Sequence, residues 1–186
     1  MDESITVGAC CDNLTVTDAI PEWYWIATDG SDDTGDGHDT TPWKTLAYAC
    51  TQVTTGDTIS VKAGNYTMTT EVIVPVGISI RGQGITTVFN MSYVSPSFHG
   101  GLLHGGLLLS STNENTAGNQ SISFITFDGN LTGTNAIMVR NRGSVKIHDC
   151  IIRDFLWNGV TFTNSPNVTT PPTTRATGNE IYNCLS

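Results

Sequence analysis

The latter half of the chain repeats itself. Asn135-Ala-Ile-Met-Val-Arg-Asn returns as Asn158-Gly-Val-Thr-Phe-Thr-Asn at an offset of 23 residues, and the same offset carries Ile122 onto Val145, Phe124 onto Ile147 and Phe127 onto Cys150. A further copy, Gly178-Asn-Glu-Ile-Tyr-Asn-Cys, follows once about eleven residues around Thr169-Thr-Pro-Pro-Thr-Thr are set aside as a loop insertion, which puts Cys184 above Cys150. A repeat this short cannot bury its own apolar face and must stack on its neighbours. Its length suits three short strands and three turns, with successive coils paired in parallel about 4.8 Å apart. Ile122, Phe124, Val145, Ile147 and Ile181 then form apolar ladders inside, while the alternate residues Lys146 and His148 face solvent. A leucine-rich solenoid asks for regular Leu positions and a β-sandwich for alternation without stacked registers; neither pattern fits.

Upstream, short β segments recur at Thr58-Ile-Ser-Val-Lys, Glu71-Val-Ile-Val-Pro, Ile78-Ser-Ile-Arg and Thr87-Val-Phe-Asn, separated by Gly, Asn and Pro turns. Before them, Trp23-Tyr-Trp-Ile-Ala-Thr reads as a strand. Thr41 and Pro42 read as the cap and first position of one amphipathic helix over residues 42–53, with Leu46, Ala49, Cys50 and Val53 on one face. The expected fold is all-β: a right-handed parallel β-helix solenoid with an N-terminal capping helix, spanning residues 23–186 in roughly seven coils. Residues 1–22, with β-like runs at Ser4-Ile-Thr-Val-Gly and Asn13-Leu-Thr-Val-Thr, read as an arm that caps the first coil. Asn183-Cys-Leu-Ser stops in mid-coil without a polar cap, so the expectation is further sequence or self-association through that uncapped coil.

Composition bounds the partners. Eight Lys and Arg against 17 Asp and Glu give a formal charge of −9, which excludes a dense basic stripe and therefore a nucleic-acid partner. An anionic glycan would need a bridging cation or a local basic cluster; a neutral one would need neither. No membrane-spanning run and no signal peptide is visible in the sequence. Five cysteines leave one thiol unpaired in a monomer, and they serve either as redox groups or as small buried apolar residues. Sequons at Asn13, Asn65, Asn90, Asn119, Asn130 and Asn167 serve either as glycan acceptors or as turn residues.

The run Trp25-Ile-Ala-Thr-Asp-Gly-Ser-Asp, then Gly35, Pro42-Trp-Lys-Thr-Leu, Ala49, Gly56-Asp-Thr-Ile-Ser-Val, Gly64-Asn-Tyr and Ile78-Ser-Ile-Arg-Gly-Gln-Gly resembles the N-terminal entry of pectate-lyase-like right-handed β-helix proteins. The resemblance covers residues 23–92 by motif and 119–186 by repeat. It implies the fold and a polysaccharide partner outside the cytoplasm, whether secreted or on a virion. The superfamily contains lyases, hydrolases, epimerases, tailspikes and non-enzymatic adhesins, so no catalytic residue transfers with it.

From the residues themselves, Asp29, Asp32, Asp33, Asp36 and Asp39 lie among glycines and serve either Ca²⁺ or the turns before the helix. On the repeat, Asp128 or Asp149 on a cation, with Arg153 or Lys146 as base, would make a lyase-like arrangement; the same residues also suit a solvated strand face. That stacking is expected to bring Asp149 beside Thr126 and Arg140 near Thr161 or Gly159. Trp157, Arg140, Arg142 and His148 are the candidate carbohydrate contacts; Trp23, Trp25, Trp43 and Trp157 could include sugar-stacking platforms, Trp157 first among them, while Trp25 and Trp43 suit packing in the cap. His99 and His104 in Phe98-His-Gly-Gly-Leu-Leu-His-Gly-Gly serve either as a paired site or as a glycine-rich loop. Asn141, Asn164 and Asn183 suit a structural amide ladder. The function expected is a surface module that binds polysaccharide, and cleaves it if enzymatic; the alternative is a structural or adhesive β-helix such as a virion spike.

Overall fold

In a computed structural model, the structure describes residues 21–94, 106–113, 116–163, 175–177 and 180–182, the last two ranges as backbone. Its strands follow in chain order, with a single helix among the described residues. β1 (Trp23–Ile26) precedes α1 (Leu46–Gln52). Then come β2 (Thr58–Val61), β3 (Gly64–Met68) and β4 (Val72–Ile73); β5 (Ser79–Arg81), β6 (Thr87–Met91) and β7 (Leu107–Ser110); β8 (Thr116–Ser123), β9 (Thr126–Asp128) and β10 (Asn135–Arg140); β11 (Arg142–His148), β12 (Ile151–Arg153) and β13 (Asn158–Thr163); and finally β14 (Arg175–Thr177) and β15 (Glu180–Tyr182).

From β2 onward, each set of three strands contributes one member to each of three parallel sheets. The sheets run β1-β2-β5-β8-β11-β14, β3-β6-β9-β12-β15 and β4-β7-β10-β13. Every circuit of the chain therefore lays a new strand on each sheet. The first sheet has six strands, against the roughly seven coils expected.

The core is built from residues stacked in register. Ile59, Ile80, Ile122 and Ile147 succeed one another up the first sheet, all fully buried. In the next sheet Tyr66, Phe89, Phe127 and Ile152 do the same, with ring centroids 5.4 Å apart for Tyr66 and Phe89 and 5.8 Å for Phe89 and Phe127. Residues of like kind in one column interlock from coil to coil, which helps a narrow core approach protein packing density.

The 23-residue offset holds in one sheet and fails in the other two. Asn135 pairs with Asn158 and Val139 with Phe162, as expected. Ile122, however, pairs with Ile147 and Phe127 with Ile152, each 25 residues on. The turn from Gly129 to Thr134 is two residues longer than its successor from Asp154 to Trp157, with Asn130 and Leu131 held at φ of 49° and 54°. Consequently Thr126 lies beside Ile151 rather than Asp149; Arg140, in the sheet that keeps the 23-residue offset, lies beside Thr163 rather than Thr161 or Gly159. Phe124 is not an inward residue. It occupies a left-handed corner at φ 58°, which turns its ring outward, and Ile125 takes the interior place.

The helix is shorter than expected. Thr45, not Thr41, is its N-cap, accepting from the Tyr48 N–H at 3.2 Å. Residues 41–43 are instead extended and bridge the free edge of β1: Ala27 N–H donates to Trp43 O, and Trp43 N–H to Trp25 O. Trp43 is buried, stacked on Tyr24 at 5.2 Å. No described helix is long and apolar enough to cross a membrane.

Candidate functional site

Strand alternation sends every second residue of the first sheet outward, and parallel pairing lines those residues up across the coils. Through β11, one row runs Trp23, Thr58, Ser79, Ser121 and Lys146; the next runs Trp25, Ser60, Arg81, Ser123 and His148. Six strands at about 4.8 Å spacing make a face about 24 Å long. Its middle is small and hydroxylated, with Ser60 and Ser123 forming a buried floor between larger neighbours.

Three side chains stand above that floor. The Arg81 guanidinium lies 5.9 Å from the Trp23 ring and 5.1 Å from the Phe124 ring, so two aromatic faces hold a cation between them. Phe124 meets His148 edge-on at 5.9 Å. Depressions of about 490 and 260 Å³ flank Arg81, the first bounded by Trp25 and Gln83, the second by Ser121 and His148. Trp23 is 52% exposed. Lys62 lies 5.7 Å from the Trp25 ring while also pairing with Asp39 at 2.8 Å.

The face is cationic in an acidic protein. Its rows hold Arg81, Lys146 and His148 and no carboxylate; among the described residues neither Arg81 nor Lys146 has an acidic partner. His148 is oriented from the corner by Asp149, with Nδ1 2.6 Å from Oδ2. Asp149 reaches it because the residue sits at φ 54°, stacked on the equivalent corner of Phe124.

The residues singled out from sequence are thus divided among three places. Lys146 and His148 lie on this face, with Asp149 at its edge. Asp128 and Arg153 lie on the neighbouring sheet, where they neutralise each other: Arg153 Nη2 is 2.7 Å and Nε 2.9 Å from Asp128 Oδ2. That pair is not brought together with Lys146 and Asp149. Trp157 sits half-buried in the turn before β13, and Arg140 ends β10 on the third sheet.

Arg142 requires correction as a surface contact, because it is 2% exposed. Its guanidinium donates to the carbonyls of Val74 (2.8 Å), Pro75 and Ser110 and to Gln120 Oε1 (3.1 Å), while Nε donates to Ser111 Oγ (3.0 Å). A bulge between Gly143 and Val145 shifts the strand's phase and turns Arg142 inward. Burial pulls its pKa down to about 10.

Three carboxylates of the aspartate-rich loop are engaged by protein groups. The Asp32 carboxylate accepts from the backbone N–H groups of Lys44 and Thr45 and from the Thr45 hydroxyl; Asp36 accepts from His38 N–H and the Thr41 hydroxyl; Asp39 pairs with Lys62. Among the described residues no three His, Cys, Asp or Glu side chains converge. Asp29 and Asp33 are exposed loop residues. Cys50 and Cys150 are buried. Asn119 and Asn130 hold left-handed turn positions, and Asn141 Nδ2 donates to Ser111 O at 3.2 Å. His99, His104, Asn164, Asn167, Asn183, Cys10, Cys11 and Cys184 lie outside the described residues.

No protein-family model matches this chain, and no curated protein matches it. Among solved structures, a rhamnogalacturonan lyase is similar over 86% of this chain and 67% of its own, with 12% identity and a TM-score of 0.35. A likeness of that size decides nothing about this chain.

Sequence reasoning missed Arg81, Trp23 and Phe124 as members of one site. The register partners of Arg81 lie 21 and 42 residues away and that of Trp23 lies 35 away, offsets that the later 23-residue repeat does not contain.

Proposed function

We propose that this chain is a right-handed parallel β-helix of the pectate-lyase-like kind that binds a polysaccharide lengthwise on the outer face of its six-stranded sheet. Parallel crossovers between strands of one sheet are right-handed in about 98% of proteins, which supports the handedness. The observation that carries the binding reading is the pair of aligned rows: aromatic rings at one end, a hydroxylated floor, and Arg81 braced between two rings. Aromatic faces pack against the apolar faces of sugar rings, and hydroxyls and guanidinium N–H groups match sugar oxygens. An extended chain crossing the strands meets new side chains every 4.8 Å or so. A polysaccharide partner in turn implies an extracellular or surface-exposed setting.

If the face also cleaves its ligand, Lys146 and the His148–Asp149 pair are the proton-transfer groups placed there. Arg153, closed on Asp128, is not available as a base. A glycan array paired with a turnover assay on the same glycans tests the reading. Binding to extended polysaccharides that weakens about fivefold or more in Trp23→Ala supports it, since losing one stacking contact costs about 1 kcal/mol or more; binding to no glycan, or equal binding by that variant, overturns it.

A further inference from the structure

Ser123 stands between two chemically active neighbours in the second outward row. Parallel pairing places Arg81 beside it on one strand and His148 beside it on the other, each one strand spacing of about 4.8 Å away. All three line the same depression of about 260 Å³. Ser123 is 3% exposed, yet its hydroxyl is not sealed. It has no hydrogen-bond partner among the described residues, where the one side-chain polar atom both unpartnered and closed off from solvent is Thr161 Oγ1. The Ser123 hydroxyl therefore opens onto the depression.

His148 is oriented from its far side. Asp149 Oδ2 lies 2.6 Å from Nδ1. A carboxylate only accepts hydrogen bonds, so Nδ1 carries the ring proton and Nε2 the lone pair. Phe124 meets the ring edge-on at 5.9 Å. Across Ser123, Arg81 is braced between the Trp23 and Phe124 rings and has no acidic partner among the described residues, which leaves its N–H groups as donors for an incoming anion.

A hydroxyl set between a carboxylate-oriented imidazole and an unpaired guanidinium supplies what acyl transfer needs: a nucleophile, a base held in the right tautomer and a donor for the oxyanion. We propose that Ser123, His148 and Arg81, with Asp149 as positioning residue, form a serine esterase site that removes short O-acyl groups from the polysaccharide lying along the rows. Ser123 Oγ bonds to the ester carbonyl carbon while His148 Nε2 takes the hydroxyl proton, and the carbonyl electron pair moves onto its oxygen, where Arg81 N–H groups receive it. As that pair returns, the bond to the sugar oxygen breaks and that oxygen takes the proton from Nε2. Water then attacks the acyl group on Ser123 through the same imidazole, which releases a carboxylic acid and restores the hydroxyl. The small depression suits an acyl group of acetyl size. The identity of the leaving alcohol rests on the polysaccharide reading; the ester chemistry at Ser123 does not.

Two probes test the site on the full chain without any glycan: a fluorophosphonate, which phosphonylates an activated serine with loss of fluoride, and 4-nitrophenyl acetate. Peptide mapping by mass spectrometry is expected to place the phosphonyl group on Ser123, and release of 4-nitrophenolate should be lost in Ser123→Ala. The adduct is read on the unaltered chain, so it does not depend on how a variant folds. Arg81→Ala should lower kcat about a hundredfold, as loss of an oxyanion donor does. Asn also accepts the left-handed φ of 54° at position 149, so Asp149→Asn should keep the corner. It should nevertheless lower kcat about a thousandfold at unchanged KM, because the amide favours the wrong tautomer of His148; a purely structural role would leave kcat in place. Absence of an adduct at Ser123, no release above the buffer rate, or release that Ser123→Ala retains in full overturns the proposal. Each of those results leaves glycan binding on the array as it stands, so the two readings fail separately.

Discussion

The Arg142 guanidinium donates to the carbonyl of Val74, 68 residues earlier, at 2.8 Å. Gln120 from the intervening coil accepts from the same nitrogen and passes its own N–H to Ile78 O at 2.8 Å. Two side chains thus join three successive coils at the corner leading into the first sheet, where the bulge interrupts the backbone ladder. Arg142→Ala leaves those buried carbonyls and Gln120 without their donor, at about 1–3 kcal/mol for each unsatisfied group. The expected loss is about 3 kcal/mol or more, read as a lower urea midpoint. Arg142→Lys should recover only part of it, since an ammonium cannot fan its donors across several carbonyls as a guanidinium does.

The binding face should separate affinity from stability. Trp23 is half-exposed and Arg81 is exposed, so Trp23→Ala and Arg81→Ala should each shift the unfolding midpoint by less than about 1 kcal/mol. Glycan affinity should fall about fivefold or more in each, the equivalent of about 1 kcal/mol. Arg153→Ala, on the neighbouring sheet, should leave glycan affinity unchanged. Calorimetric titration of a bound polysaccharide against the three variants checks the assignment of the face.

The coiled architecture was legible because repetition is a property of sequence alone: Asn135 and Asn158 are where a 23-residue period puts them. What was not legible is turn length. The two extra residues between Asp128 and Asn135 slide the other two sheets by the same amount, so Phe127 stacks on Ile152 and not on Cys150. Hydrophobic alternation likewise cannot announce a bulge, so Arg142 reads as an outward residue. The site was the least visible, because Trp23, Arg81 and Phe124 belong to coils of unequal length and meet only after stacking.

Asp32 organises the approach to the helix. Its carboxylate receives two backbone N–H groups and the Thr45 hydroxyl, at 2.7–3.0 Å. Asp32→Ala should lower stability by about 1–2 kcal/mol, as loss of a helix-terminal acceptor does. Because Asp32, Asp36 and Asp39 are already engaged and only Asp29 and Asp33 stand exposed, millimolar Ca²⁺ should leave the melting temperature of both proteins unchanged. A rise of several degrees on adding Ca²⁺ would return the loop to consideration as a cation site.

Stability should fall on the alkaline side well before the tyrosines titrate. Burial pushes the Cys50 thiol up to about 12 and the Cys150 thiol up to about 11, from an ordinary value of 9.0. Below pH 9 both thiols are protonated in the folded and unfolded chains alike, and their contribution is fully present. Between pH 9 and the folded values, the unfolded chain releases protons that the folded one keeps. Unfolding is then favoured by up to about 1.4 kcal/mol per pH unit for each thiol. Tyr66, whose folded pKa is about 12 against an ordinary 10.0, adds to the slope only above pH 10. Chemical denaturation at intervals from pH 8 to 10.5 should therefore show a decline beginning near pH 9. Cys150→Ala should make the decline between pH 9 and 10 shallower, because the two buried thiols are the raised groups with the lowest ordinary value; an unchanged slope in that variant would mean that the Cys150 thiol ionises as readily folded as unfolded.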